Sequence, residues 1–120
     1  PGTDSEGAAT LVSIAGDSFD ATSPFAAESY DAAALILLAM QAAGSKNPAD
    51  YKGKVFDVAN APGEQILPGE LAKGMEILAS GGEIDYVGAS NVELIGAGES
   101  AGNYREITIK DAKISVDRYR

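Results

Sequence analysis

The 120-residue chain has no cysteine and no histidine, and these absences remove most familiar catalytic chemistry. Without thiolate or imidazole there is no zinc site of the usual sulfur and nitrogen ligands, no thiol nucleophile, and no Ser-His-Asp or Cys-His arrangement. The missing cysteine leaves the redox compartment open, since a cysteine-free protein is at home in either. Positive charge is scarce as well: 9 Lys and Arg stand against 18 Asp and Glu, a formal net charge of -9. Binding through phosphates requires clustered cations, so nucleic acid and an anionic membrane surface are both disfavoured as partners. Long apolar runs are absent too. The longest, Ala32 to Met40, is bounded by Asp31 and Gln41 and falls far short of the ~20 residues a membrane-spanning helix needs. Pro1-Gly2 opens without an initiator Met or a basic and apolar leader, which reads as a processed chain or a piece of one.

What is present suffices for one packed domain, since 45% of the residues are apolar. After turn formers at Pro1 to Ser5, a mildly amphipathic run from Glu6 to Ala15 predicts a helix ended by Gly16. A polar, Pro-containing loop follows from Asp17 to Pro24. The strongest helix is expected over Tyr30 to Ala43, with Ser29 as N-cap, Asp31 in its first turn and Gly44 as the stop. Its Ala32 to Met40 stretch is apolar nearly all round, which predicts burial on most of its circumference. Further helices are expected over Tyr51 to Asn60 and over Gly69 to Ala79, the last preceded by Pro68 and ended by Gly81-Gly82. Beyond residue 82 the period becomes alternating. Ile107 and Ile109, then Ile114 and Val116, alternate with polar residues as in a half-buried hairpin whose turn is Lys110-Asp111-Ala112-Lys113. A tight primed turn favours Gly where φ is positive, so Ala112 leaves a longer loop open as an alternative.

Three blocks carry a resemblance. Pro24-Phe25-Ala26-Ala27-Glu28-Ser29-Tyr30-Asp31-Ala32-Ala33 resembles the segment that leads into a long helix in type I periplasmic solute-binding proteins of the branched-chain amino-acid family. Ile84-Asp85-Tyr86-Val87-Gly88-Ala89-Ser90 is similar to an Asp-Tyr-x-Gly-Ala-Ser run near the end of the same proteins. Gly102-Asn103-Tyr104-Arg105-Glu106-Ile107 resembles the start of their closing hairpin. The order and spacing agree from about Pro24 to Arg120; Asn91 and Ala112 stand where many members have Gly.

The resemblance implies an α/β fold, of which this chain is a C-terminal fragment: helices plus a C-terminal β-hairpin, with pieces of both lobes and a hinge crossover. The N-terminal two-thirds of the two-lobed protein would be absent. It also implies a non-enzymatic, periplasmic receptor that captures a branched-chain or related amino acid between its lobes and delivers it to an ABC permease. No cofactor and no metal are expected. Phe25 is the implied cover for an aliphatic ligand side chain, against a reading as ordinary core. Glu28, beside a helix N-terminus, is a candidate for the ligand ammonium, against simple satisfaction by the helix dipole and solvent. Tyr30 and Tyr86 are expected to be structural.

The remaining patterns are weak. Gly96-Ala97-Gly98 lacks the strand-to-helix context of a phosphate loop, and Asp17, Asp20, Glu83 and Asp85 do not fit a calcium loop. A stand-alone acidic interaction domain is the alternative reading. A fragment of this fold is also expected to self-associate through uncovered apolar faces.

Overall fold

In the computed structural model the structure describes residues 2–96 and 98–120. Pro1 of the opening turn and Ala97 of the Gly-rich run lie outside the described residues. Eleven elements follow in order among the described residues: α1 (Glu6–Ala15), α2 (Ala26–Ala43), α3 (Pro48–Tyr51), α4 (Lys54–Ala59), β1 (Glu64–Ile66), α5 (Leu71–Ala79), β2 (Ile84–Tyr86), β3 (Leu94–Gly96), β4 (Glu99–Ser100), β5 (Arg105–Lys110) and β6 (Lys113–Tyr119). Helix and strand are mixed as an α/β reading requires. β1 and β2 run parallel, joined through α5, as a βαβ unit. No described helix is long and apolar enough to cross a membrane.

The core forms where α2 lies across α4, α5 and the β1–β2 pair. Leu38, Ala39, Val58, Ala59, Ile66, Ile84 and Tyr86 are all buried there. Helix α1 has the predicted bounds: the Ser5 side chain accepts from the amide of Ala8, and Gly16 donates back to the Val12 carbonyl. The N-terminal half of α1 reaches the main body through Gly7. A Cβ there would lie 1.9 Å from the Gly88 carbonyl oxygen, so the close approach of α1 to that loop excludes any side chain.

Several expectations are corrected. Helix α2 begins at Ala26, a turn earlier than Ser29 as N-cap implied, because the Ser29 amide already bonds the Phe25 carbonyl at 2.9 Å. Asp31 therefore sits in the second turn. Nor is α2 buried all round: Ala32, Ala33, Ile36 and Leu37 are exposed, since the packing elements cover one side only. The expected helix over Tyr51 to Asn60 is two short helices, α3 and α4, separated at Lys52-Gly53. Asn47 caps α3 through the Ala49 amide, with Pro48 at its first position.

The end hairpin exists in the predicted register, Ile107 opposite Val116 and Ile109 opposite Ile114. Its turn is tight, with Asp111 at φ 51° and Ala112 at φ 57°, so the longer loop is not formed. The hairpin is not half-buried, however. Ile107, Ile109, Ile114 and Val116 share one face and are 46%, 70%, 69% and 44% exposed, because no described element packs on it. The ribbon projects, giving a radius of gyration of 15.5 Å where about 14 Å is usual for this length.

Candidate functional site

The loop before α2 is organised by Asp20. Its carboxylate accepts from the Thr22 amide (2.9 Å), the Thr22 hydroxyl (2.6 Å) and the Ser23 hydroxyl (3.2 Å). The bonds from Thr22 hold the Asp20 carboxyl below its ordinary value, with smaller help from Ser23 and from the charge of Arg105. This knot aims the chain through Ser23 and Pro24 into Phe25, the N-cap of α2, which takes the left-handed conformation at φ 67°. Positive φ in a bulky residue is uncommon and strained. Phe25 is 62% exposed, which excludes the reading as core within this chain.

Phe25 and Glu28 line the same cavity, of about 220 Å³, between the N-terminal segment with α1 and the start of α2. Its buried wall comes from Leu11 and Ala89. Its polar lining includes Asp4, Ser23, Arg105 and Tyr119. The volume lies below the ~300–1,000 Å³ of most complete ligand pockets, which suits one wall of a site or a very small ligand. A roomier depression of about 380 Å³ lies between α4 and the end of α5. Its one cation, Lys54, is already paired with Asp57 at 3.1 Å, so it offers fewer free groups to a ligand.

The three resembling blocks meet beside this cavity. Asp31 is 2% exposed, and its side-chain oxygens accept from the Tyr86 hydroxyl (2.8 Å), the Ala89 amide (2.9 and 3.1 Å), the Ser90 amide (2.7 Å) and the Ser90 hydroxyl (2.5 Å). Burial, then the adjacent Asp31 charge, push the Tyr86 hydroxyl pKa far up. Gly88, at φ 61°, leaves the room this network requires, since a Cβ there would come within 2.4 Å of an Asp31 oxygen. The third block joins through Asn103, whose side-chain amide donates to the Ser90 carbonyl at 2.8 Å. The Gly2 amide in turn donates to the Asn103 carbonyl at 3.1 Å. Tyr30 accepts from the Gly69 amide at 3.1 Å. Thus α2, the 86–90 segment, the chain start and the hairpin base are cross-linked by hydrogen bonds around the cavity wall.

Sequence reasoning brought Phe25 and Glu28 to one place but missed Asp4 and Arg105. Arg105 is eighty positions from Phe25 in the chain, and its block signalled only a strand start. Among the described residues there is no cluster of three or more side chains able to hold a metal ion.

No family model matches the chain, and no solved structure matches it. The chain is similar to a curated protein of Halobacterium salinarum named chemotactic signal transduction system substrate-binding protein BasB, with 35% identity over 94 residues. The match covers 78% of this chain and 23% of that protein, so the chain spans about a quarter of the length of the substrate-binding protein it resembles.

Proposed function

We propose that the chain is the C-terminal part of a two-lobed, type I substrate-binding protein that captures a branched-chain or related amino acid. On this reading it is not an enzyme. It contributes pieces of both lobes and a hinge crossover, works in the periplasm, and hands its ligand to an ABC permease. The observation that carries the reading is the cavity itself. An exposed aromatic in a strained backbone conformation and an acidic side chain line one small concavity, to which each of the three blocks that resemble such receptors contributes, beside the N-terminal segment and α1. The relative's name supports solute binding in general.

That name also favours a second downstream partner. The relative is named for a chemotactic signal transduction system, so a signalling receptor stands beside the permease as the partner proposed for the ligand-bound form. A stand-alone interaction domain fits less well, because the apolar hairpin face lies open, and isolated domains rarely leave such patches uncovered.

Calorimetry on the longer protein that contains this chain tests the proposal with leucine, isoleucine, valine and alanine. Micromolar or tighter binding is expected of the longer protein, and no appreciable binding of the 120 residues alone, since a single open wall excludes little water. Absence of binding to every amino acid by the longer protein would overturn the reading. Micromolar binding by the short chain would mean that the site is not shared with another lobe.

A further inference from the structure

The depression between α4 and the end of α5 is separate from the Phe25 cavity. Strand β2 begins in it at Ile84, and the chain beyond β2 reaches the other cavity only at Ala89. Its volume of about 380 Å³ falls within the ~300–1,000 Å³ of most ligand pockets, which that of the Phe25 cavity does not. Val58 and Ile84, 2% and 1% exposed, give it an apolar floor, with half-buried Leu78 and Ala42 beside them. Phe56 lines it too and is 48% exposed, an aromatic ring that this chain leaves uncovered. Three charged side chains line the space. Lys54 and Asp57 neutralise each other at 3.1 Å, which leaves Glu83, exposed and without an ion pair or side-chain hydrogen bond among the described residues. The Asn60 side chain is committed elsewhere: it exchanges hydrogen bonds with the Leu94 backbone (2.9 and 3.1 Å) and reaches Glu93 at 3.4 Å. The backbone adds negative potential. Helices α2 and α5 both bring their last turns here, through Ala42 and Leu78, and neither has a basic residue in that turn. A helix C-terminus carries the equivalent of about half a negative charge, so two such ends reinforce Glu83.

We propose that this depression is a second ligand site, for a small organic monocation: an ammonium on a flat apolar body. The body lies against Val58, Leu78 and Ile84 with the Phe56 ring beside it, and the charge points to Glu83 and the two helix ends. Apolar lining supplies most of the contact and one charge sets the orientation, the usual division of labour in a small-molecule pocket. An anion of the same shape meets the same carboxylate and the same helix ends, and is repelled. The net charge of -9 favours encounter with cations over anions in the same sense. Glu83 faces water, so its attraction is modest, and the site is one of moderate affinity and definite charge preference. The assignment stands apart from the amino-acid reading, because it uses no residue of the Phe25 cavity.

The test is methyl NMR on the longer protein that contains this chain, titrated with phenethylamine, with phenylacetate and with butylamine. Phenethylamine should shift the methyl signals of Val58, Leu78 and Ile84 along one saturating curve. Phenylacetate, which exchanges the charge, should bind about tenfold more weakly, from the carboxylate and helix-end contributions together. Butylamine, which keeps the ammonium on a lysine-like chain, should also bind about tenfold more weakly, for want of the ring. Glu83→Gln should weaken phenethylamine by about two- to fivefold, the range for an exposed ion pair, and narrow the gap to phenylacetate. Phe56→Ala should weaken it by about two- to tenfold, as loss of an aromatic pair does. Both side chains are exposed, so neither change puts folding at risk. Phenylacetate binding as tightly as phenethylamine would overturn the proposal, as would shifts confined to Leu11 of the other cavity. Equal binding of butylamine would make the depression a seat for a lysine of another protein and overturn the small-ligand assignment. No saturable shift at the three methyl groups, or full affinity in both variants, would overturn it too. Leucine binding enters none of these outcomes, so the amino-acid reading and this one fail separately.

Discussion

Replacing Asp31 tests the contact that ties the site together. Its side chain is 2% exposed and accepts from four donor groups on the 86–90 segment. Asp31→Ala leaves the Tyr86 hydroxyl and the Ala89 amide without partners in residues that are 1% and 0% exposed. Each orphaned buried donor costs about 1–3 kcal/mol. Ser90 is half-buried and recovers part of its loss through water. The expected destabilisation is about 3–5 kcal/mol, a large share of the roughly 5–15 kcal/mol that holds a domain folded. Asp31→Asn keeps the volume and one acceptor oxygen, but its amide group faces an N–H or O–H donor, so it should still lose about half as much. Tyr86→Phe removes one of the orphans. The Asp31→Ala/Tyr86→Phe pair should therefore be less destabilising than the sum of the singles by about 1 kcal/mol or more. Urea unfolding followed by far-UV circular dichroism reads all four variants, since the chain has no tryptophan. A cost below about 1 kcal/mol for Asp31→Ala, outside the range for orphaned buried donors, or strict additivity in the double variant, would refute the reasoning.

The hairpin turn places Ala112 at φ 57°, so Ala112→Gly should stabilise β5 and β6 by about 1 kcal/mol; slower amide exchange at Thr108 and Ser115 would show it, and unchanged exchange would contradict it. Tyr86 has its pKa raised by burial and by Asp31. As pH rises past about 10, the unfolded tyrosine loses its proton while the folded one keeps it, so stability falls. Tyr86→Phe should lack that alkaline component in the difference from wild type. The exposed Ile107, Ile109, Ile114 and Val116 face, with Ile36 and Leu37 on α2, should make the isolated chain self-associate. Light scattering showing a monomer across a wide concentration range would count against this.

Local signals were legible wherever a single residue type fixes the backbone. Gly16 and Gly44 end their helices as expected, and the alternation of Ile107 to Val116 gives the hairpin its register. The start of α2 was missed because Ser29 looks like a cap, whereas the helix is set by the Asp20 knot and the Ser23 and Phe25 carbonyls, none of which resembles a capping box. The uniform apolar character of Ala32 to Met40 suggested full burial, but composition does not reveal how many neighbours a helix will have. Phe25 and Glu28 were nameable only through the resemblance. Arg105 needed the fold, because nothing local links a strand-opening arginine to a loop eighty residues earlier.

The most direct measurement is the affinity of the longer protein for leucine and for alanine, with and without Phe25→Ala, together with the melting temperature of each unliganded form. Removing the ring from an aliphatic ligand side chain should cost roughly 1.5–3 kcal/mol, or about ten- to a hundredfold in leucine affinity. The ratio of leucine to alanine affinity should fall, because only the longer side chain reaches the ring, and the unliganded protein should melt where the wild type does. An unchanged ratio with a lowered melting temperature would place Phe25 in the core of the longer protein and remove this cavity from the ligand site.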